Sequence, residues 1–367
     1  MTNTTTATPT YKVTLKQAAS LIAANAGEVT YYLVGEPGIG KTSIMSMIRE
    51  ALGEVYNYGV IRCGNLDLGD VAMPVVNHET RTTSYFPNAA FRLTEGKPVV
   101  LMYDEFTKAG DAIKNMLHPS IEIDEPRLGD LPLPVGPDGE QSVIVLTGNN
   151  PKDGVGDSIK AHSKNRVVRL DISKPDADEW LIWAVANGIH PIVMAFVKKF
   201  PQCLASYTDG DQEENGYIYN PKKGQDAYVS PRSLEIASRQ LYRHTDGPID
   251  RETMISALVG TLGAPAALDL VAFMDYHAEL PSAAKIINDP MGAVVPTSAG
   301  ACSVLTFGLV NAVTAESMDP IMKYVGRLES EWQAAFCISL ARNAAKQTFA
   351  FRSKAFADWC TENADLL

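Results

Sequence analysis

Gly35-Glu-Pro-Gly-Ile-Gly-Lys-Thr42 decides how this 367-residue chain is to be read. Before it stands Thr30-Tyr-Tyr-Leu-Val34, an apolar run with the content of a buried strand. After it, Lys41–Leu52 reads as a helix. A strand, a glycine-rich turn and a helix in that order are what the pattern G-x-x-x-x-G-K-[ST] needs to cradle phosphate. The glycines let backbone N–H groups turn inward around phosphate oxygens, and the helix adds the positive end of its dipole. Gly35, Glu36, Pro37, Gly38, Ile39, Gly40, Lys41, Thr42 and Ser43 are therefore the candidate nucleotide-binding residues. Lys41 would reach the β- and γ-phosphates and Thr42 would ligate Mg²⁺, so the expected ligand is ATP with Mg²⁺.

Working outward, four more runs read as strands: Tyr58–Cys63, Lys97–Tyr103, Gln141–Thr147 and Arg166–Ile172. The last alternates enough to be an edge strand. Helical stretches lie between them, which predicts an open α/β sheet with crossovers and its chemistry at the carboxyl ends of the strands. Lys12–Ala26 has the apolar spacing of a short amphipathic helix. Two segments interrupt the pattern. Met73–Phe86 predicts a hairpin around Asn77-His78-Glu79-Thr80, and Arg127–Gln141 a second one turning at Gly136-Pro-Asp-Gly139. Either could be a passive surface loop.

After Ser173-Lys-Pro175 the character becomes helical: Asp178–Asn187, Ile192–Phe200 and Ser230–Tyr242, with a polar loop over Thr208–Gln225. A last helical block begins near Pro281 and takes in Cys302–Val313, Pro320–Arg327 and a long Glu329–Trp359 stretch. The expected organisation is a disordered Thr-rich tail over 1–10 and a nucleotide-binding α/β domain with two hairpin inserts over 11–173. A helical lid over 174–280 and a C-terminal helical segment over 281–367 complete it. The last segment either completes the lid or docks a partner.

Composition is that of a soluble globular protein, 46% apolar and 20% charged. No apolar run approaches the roughly 20 residues that span a bilayer, and the start lacks a signal peptide's basic and apolar blocks. The expectation is a cytoplasmic protein without membrane attachment. Cys63, Cys203, Cys302, Cys337 and Cys360 are scattered without zinc spacing, and read as buried or incidental thiols. A net charge of −11 disfavours a surface built to grip nucleic acid.

Asp104-Glu105 follows an apolar strand 63 residues after Lys41. Asp104 at a strand end can hold the Mg²⁺ shell, and Glu105 beside it can polarise the attacking water as a general base. In combination, GEPGIGKT, VVLMYDE and LTGNN resemble the Walker A, Walker B and sensor 1 motifs of the AAA+ ATPases. The resemblance implies a P-loop parallel-sheet core with a helical lid. It gives Asn149 the sensor 1 role at the γ-phosphate or attacking water, with Asn150 as the neighbouring alternative. It further implies an arginine finger at Arg166, with Arg169 as substitute, serving a neighbouring subunit. Sensor 2 falls on Arg232 in Ser230-Pro-Arg-Ser233, where Ser230 can cap and Pro231 suits the first helical turn.

Within that family the chain is similar to the MoxR branch, over roughly Thr30–Arg243. The two hairpins, Asp104-Glu105-Phe-Thr-Lys108-Ala109, the Leu66–Pro74 stretch and the SPR motif carry this. The chain departs at Thr107-Lys108, where the family more often has Asn-Arg, and at Asn149-Asn150-Pro151, where a single Asn-Pro is usual. The resemblance implies a hexameric homo-oligomeric ring that hydrolyses ATP to remodel or mature a protein client, such as one carrying a von Willebrand A domain. Two other classes compete. A nucleic-acid motor or helicase loader would need basic hairpins, yet His78 and Arg81 stand against Glu79, and Arg127 against Asp130, Asp138 and Glu140. A module that merely binds ATP would have no need of Glu105.

Overall fold

Runs of β-branched and aromatic residues build one parallel sheet in the computed structural model, which describes residues 11–150, 164–247 and 249–367. The strands are β1 (Lys12–Val13), β2 (Thr30–Val34), β3 (Asn57–Arg62), β6 (Val99–Asp104), β9 (Val143–Gly148) and β10 (Val167–Ile172). Their order across the sheet is β1-β10-β2-β9-β6-β3, and every pair is parallel. The chain leaves β2 for the far edge, returns through β6 and β9, and crosses β2 to reach β10. That reversal makes β2 the topological switch point, where open α/β sheets form a crevice beyond the strand ends.

Side chains alternate between two buried faces. Tyr32, Val34, Leu101, Tyr103, Ile144 and Leu146 pack with Phe91, Phe106, Ile113 and Leu117. Tyr31, Leu33, Val100, Met102, Val143 and Val145 pack with Ala18, Ile22, Ile44 and Ile48, from helices α1 (Leu15–Ala24) and α2 (Ile44–Leu52). Burial on both sides explains why the strands read as continuous apolar runs. The expected fold class, a P-loop α/β sheet followed by helices, is the one observed.

Two expectations at the sheet's rim need correction. β10 is not the edge strand, because Lys12 and Val13 pair with Asp171 and Ile172 outside it. Those two residues do not belong to the first helix. Thr14 caps that helix, accepting from Gln17 N–H at 3.2 Å while the Gln17 side chain accepts from Thr14 N–H at 2.9 Å. This reciprocal cap fixes the start at Leu15 and releases Lys12–Val13 as a strand. Ser173 N–H then donates to Val13 O at 2.9 Å, beside the end of the first unit.

Both inserts are present, in different form. β4 (Ala72–Asn77) and β5 (Thr82–Pro87), with α3 (Leu68–Val71) before them, form the first hairpin. The Asn77 side chain closes its turn by accepting from Glu79 and Thr80 N–H. The second hairpin is much shorter than expected: β7 (Arg127–Leu128) pairs with β8 (Leu131–Pro132), and the chain turns at Gly129-Asp130. Gly136-Pro-Asp-Gly139 is a turn in the loop that follows. The reason is a cross-insert contact. Asp130 N–H donates to Tyr85 O at 2.9 Å, and Tyr85 N–H donates to Asp130 Oδ2 at 2.6 Å. Gly129 makes that approach with φ 56°, where a Cβ would lie 2.4 Å from Tyr85 O.

The chain divides between Lys174 and Pro175 into two compact units. The second unit is helical, and its helices on both sides of position 281 share one core running from Trp180 through Phe196, Leu234, Leu258, Phe307 and Phe336 to Phe356. The helix Pro231–Asp246 begins as the sequence suggests, with Ser230 accepting from Ser233 N–H at 3.1 Å and Pro231 in the first turn. The long Glu329–Trp359 stretch is instead three helices, Ser330–Ala341, Ala344–Ala350 and Lys354–Glu362. Asn343 breaks it by capping the second of them, accepting from Ala345 N–H at 3.0 Å. Helices Arg251–Leu262 and Ala264–Glu279 add to those that the sequence predicts. The expected tail over 1–10 lies outside the described residues. Among the described residues no helix is long and apolar enough to cross a membrane.

Candidate functional site

β2 ends at Val34, and its polypeptide turns through Gly35–Gly40 into a short 3-10 turn, Lys41–Ser43, that leads into α2. Gly40 adopts φ 98°, a left-handed conformation that a residue with a Cβ rarely holds. Ile39 is buried at the base of the loop, and Ser43 Oγ donates to Gly40 O at 2.7 Å, closing the turn. These contacts set the loop at the head of a helix, where backbone N–H groups and the dipole favour an anion.

The loop lies at the carboxyl ends of β6 and β9 in the same sheet, and side chains distant in sequence meet there. Lys41 Nζ donates to Gly35 O at 2.7 Å, Glu36 O at 2.8 Å and Asn149 Oδ1 at 3.0 Å. Thr42 Oγ1 donates to Asp104 Oδ2 at 3.2 Å. Thr147 Oγ1 donates to Asp104 Oδ1 at 2.6 Å and accepts from Glu105 N–H at 2.9 Å. Glu105 itself has φ 54° and ψ 37°, and its carboxylate pairs with Lys108 Nζ at 2.5 Å. Burial and the nearby Asp104 charge push the Cys63 thiol up to about 12, so it stays protonated beside the cluster.

Mg²⁺ is held by hard oxygen donors, usually one or two protein groups completed by phosphate oxygens and water. A threonine hydroxyl and a carboxylate within 3.2 Å of each other beside the loop fit that requirement. No group of three or more His, Cys, Asp or Glu able to hold a metal occurs among the described residues.

The structure thus brings Lys41, Thr42, Asp104, Glu105 and Asn149 together. Asn149 meets Lys41 through its side-chain oxygen. Arg166 stands apart from this cluster, just before β10. Its guanidinium lies 3.2 Å from His118 Nε2 and 3.7 Å from Glu122 Oε1, and remains about two-fifths exposed. Arg169 pairs with Asp171 at 2.7 Å. Arg232 belongs to the second unit, exposed on the first turn of its helix.

Thr147 escaped sequence reading, although its hydroxyl touches both acidic residues. Its signal was faint: a polar residue closing the apolar run Val143–Leu146. The tie between Asp130 and Tyr85 escaped too, because the two lie 45 residues apart.

No protein-family model matches the chain, and no curated protein matches it in sequence. Among solved structures, NtrX from Brucella abortus in complex with ADP is 12% identical, covering 96% of this chain and 67% of its own at a TM-score of 0.39. A protein described as an ATPase from Cytophaga hutchinsonii is also 12% identical, covering 67% of this chain and 80% of its own at a TM-score of 0.33.

Proposed function

We propose that this chain binds Mg-ATP on the Gly35–Ser43 loop and hydrolyses it, working as a ring of identical subunits that remodels a protein partner. The observation that carries hydrolysis is the convergence of Lys41, Thr42, Asp104, Glu105 and Asn149 at one end of the sheet. Lys41 would offset charge on the β- and γ-phosphates, and Asn149 at the same ammonium would orient the terminal phosphate or the water. Thr42 and Asp104 would hold Mg²⁺, which when bound supplies charge neutralisation across the phosphates. Glu105 would take the proton of the attacking water. Phosphoryl transfer of this kind is mostly positioning and electrostatics, which these side chains can provide.

The ring rests on Arg166. Its exposed guanidinium suits reaching a neighbour's nucleotide, and such a finger is worth on the order of 10³ to 10⁵ in rate. Arg232 is the second unit's candidate for the γ-phosphate. Met73, Val75, Val76, Tyr85 and Phe86 are about half exposed on the first hairpin, which favours an apolar protein surface as client over a nucleic-acid backbone.

The test is turnover of the wild type beside two variants. Glu105→Gln should bind ATP normally and hydrolyse it on the order of 10² to 10⁴ more slowly. Lys41→Ala should lose binding. Specific activity should rise with protein concentration as subunits associate. Full turnover in Glu105→Gln would remove the base assignment, and concentration-independent activity from a monomer would remove the ring.

A further inference from the structure

We propose that Thr147 is a positioning residue for hydrolysis, a single buried hydroxyl that orients the Asp104 carboxylate and fixes the turn presenting Glu105; this rests on the function proposed above. Thr147 is 1% exposed, next to last in a strand whose preceding residues are Val143, Ile144, Val145 and Leu146. Valine would fill the same space without a polar atom, so burying the hydroxyl must be offset by what it bonds.

It bonds two groups with opposite demands. Its proton goes to Asp104 Oδ1 at 2.6 Å, while its lone pair takes the Glu105 N–H at 2.9 Å. Asp104 Oδ2 accepts from Thr42 at 3.2 Å, so two threonines bracket the carboxylate and set its plane. One of them comes from the phosphate loop, the other from the strand that leads to Asn149. Backbone pairing of β6 with β9 extends to Tyr103 and Leu146. One residue farther on, the Thr147 side chain provides the tie between the two strands.

Glu105 needs that tie. With φ 54° and ψ 37° it holds a left-handed conformation, which residues bearing a Cβ keep only where surroundings impose it. Its N–H is held by Thr147, and its carbonyl accepts from Lys108 N–H at 2.9 Å. The turn is thereby pinned on both sides, and the Glu105 side chain leaves the sheet end in one direction. Thr147 meets neither phosphate nor water in this scheme; it acts through Asp104 and Glu105.

Thr147→Val and Thr147→Ser in the full chain test this, with three readouts. Amide exchange at Glu105 without nucleotide should quicken about three- to tenfold in Thr147→Val, the size of one lost hydrogen bond. The Mg²⁺ concentration that half-saturates binding of a fluorescent ATP analogue should rise several-fold, on the order of the same ratio, with affinity in EDTA unchanged. Turnover should fall on the order of tenfold to a hundredfold as the reacting groups lose their placement. Thr147→Ser should return all three close to wild type. Wild-type exchange and Mg²⁺ dependence in Thr147→Val would overturn the proposal. So would a general loss, in which melting temperature and metal-free ATP binding fall together. A wild type that binds Mg-ATP without turning it over overturns the hydrolytic reading, while the exchange and Mg²⁺ readouts still decide the role of Thr147.

Discussion

Asp104 carries its negative charge between two hydroxyls, and each uses one of its oxygens. An amide in its place could accept at one position only, and its NH₂ would face a hydroxyl whose proton is directed at that same position and would have to turn away. Asp104→Asn should therefore weaken ATP binding with Mg²⁺ present and leave binding in EDTA near wild type. An equal loss in both conditions would mean that Asp104 shapes the loop and not the metal shell. The Lys108–Glu105 pair is different in kind. Both side chains are a third to a half exposed, so the pair is worth about 0 to 1 kcal/mol of stability. Its consequence is the direction in which Glu105 points. At this scale the sequence was informative wherever spacing and residue type coincide, as at Lys41, Thr42, Asp104 and Glu105. Thr147 was opaque because threonine is an ordinary strand former, and the carboxylate it bonds lies 43 residues away.

The strands were legible as elements because both faces of the sheet are buried, which turns each into an apolar run that a helix or loop would not carry. What stayed illegible depends on single contacts. β1 exists because Thr14 and Gln17 start the helix late, and two residues give no periodicity to read. The second hairpin turns at Gly129 because Asp130 fits Tyr85, whereas Gly136-Pro-Asp-Gly139 had the stronger turn composition. Gly129→Ala should consequently destabilise the first unit by about 1 to 3 kcal/mol, from both the positive φ and the approach to Tyr85 O. Thermal melting would show it, and an unchanged melting temperature would mean the two inserts are not held together there. Asn343→Ala, removing a nearly buried cap in the second unit, should cost about 1 kcal/mol by the same measurement. Helix breaks of that type are hard to foresee in Glu329–Trp359, where apolar residues recur on all sides.

The whole molecule stores acidity in protected phenols and thiols. Burial raises Cys63 from 9.0 to about 12 and Tyr32 from 10.0 to about 12 in the first unit. In the second unit burial raises Tyr324 from 10.0 to about 12. Groups raised in the folded state contribute stability that is complete below the unfolded values and is lost as pH climbs through the folded ones. Both units should therefore lose stability between about pH 9 and 12, seen as a falling denaturation midpoint in urea; a flat profile would contradict the burial described here. The contact of Ser173 with Val13 has a different consequence. The polypeptide enters and leaves the first unit at one spot, so residues 12–173 form a nearly closed ring of chain. A unit with adjoining ends can be spliced into a surface loop of an unrelated host, or have its own ends joined and be reopened elsewhere, with only a short connector.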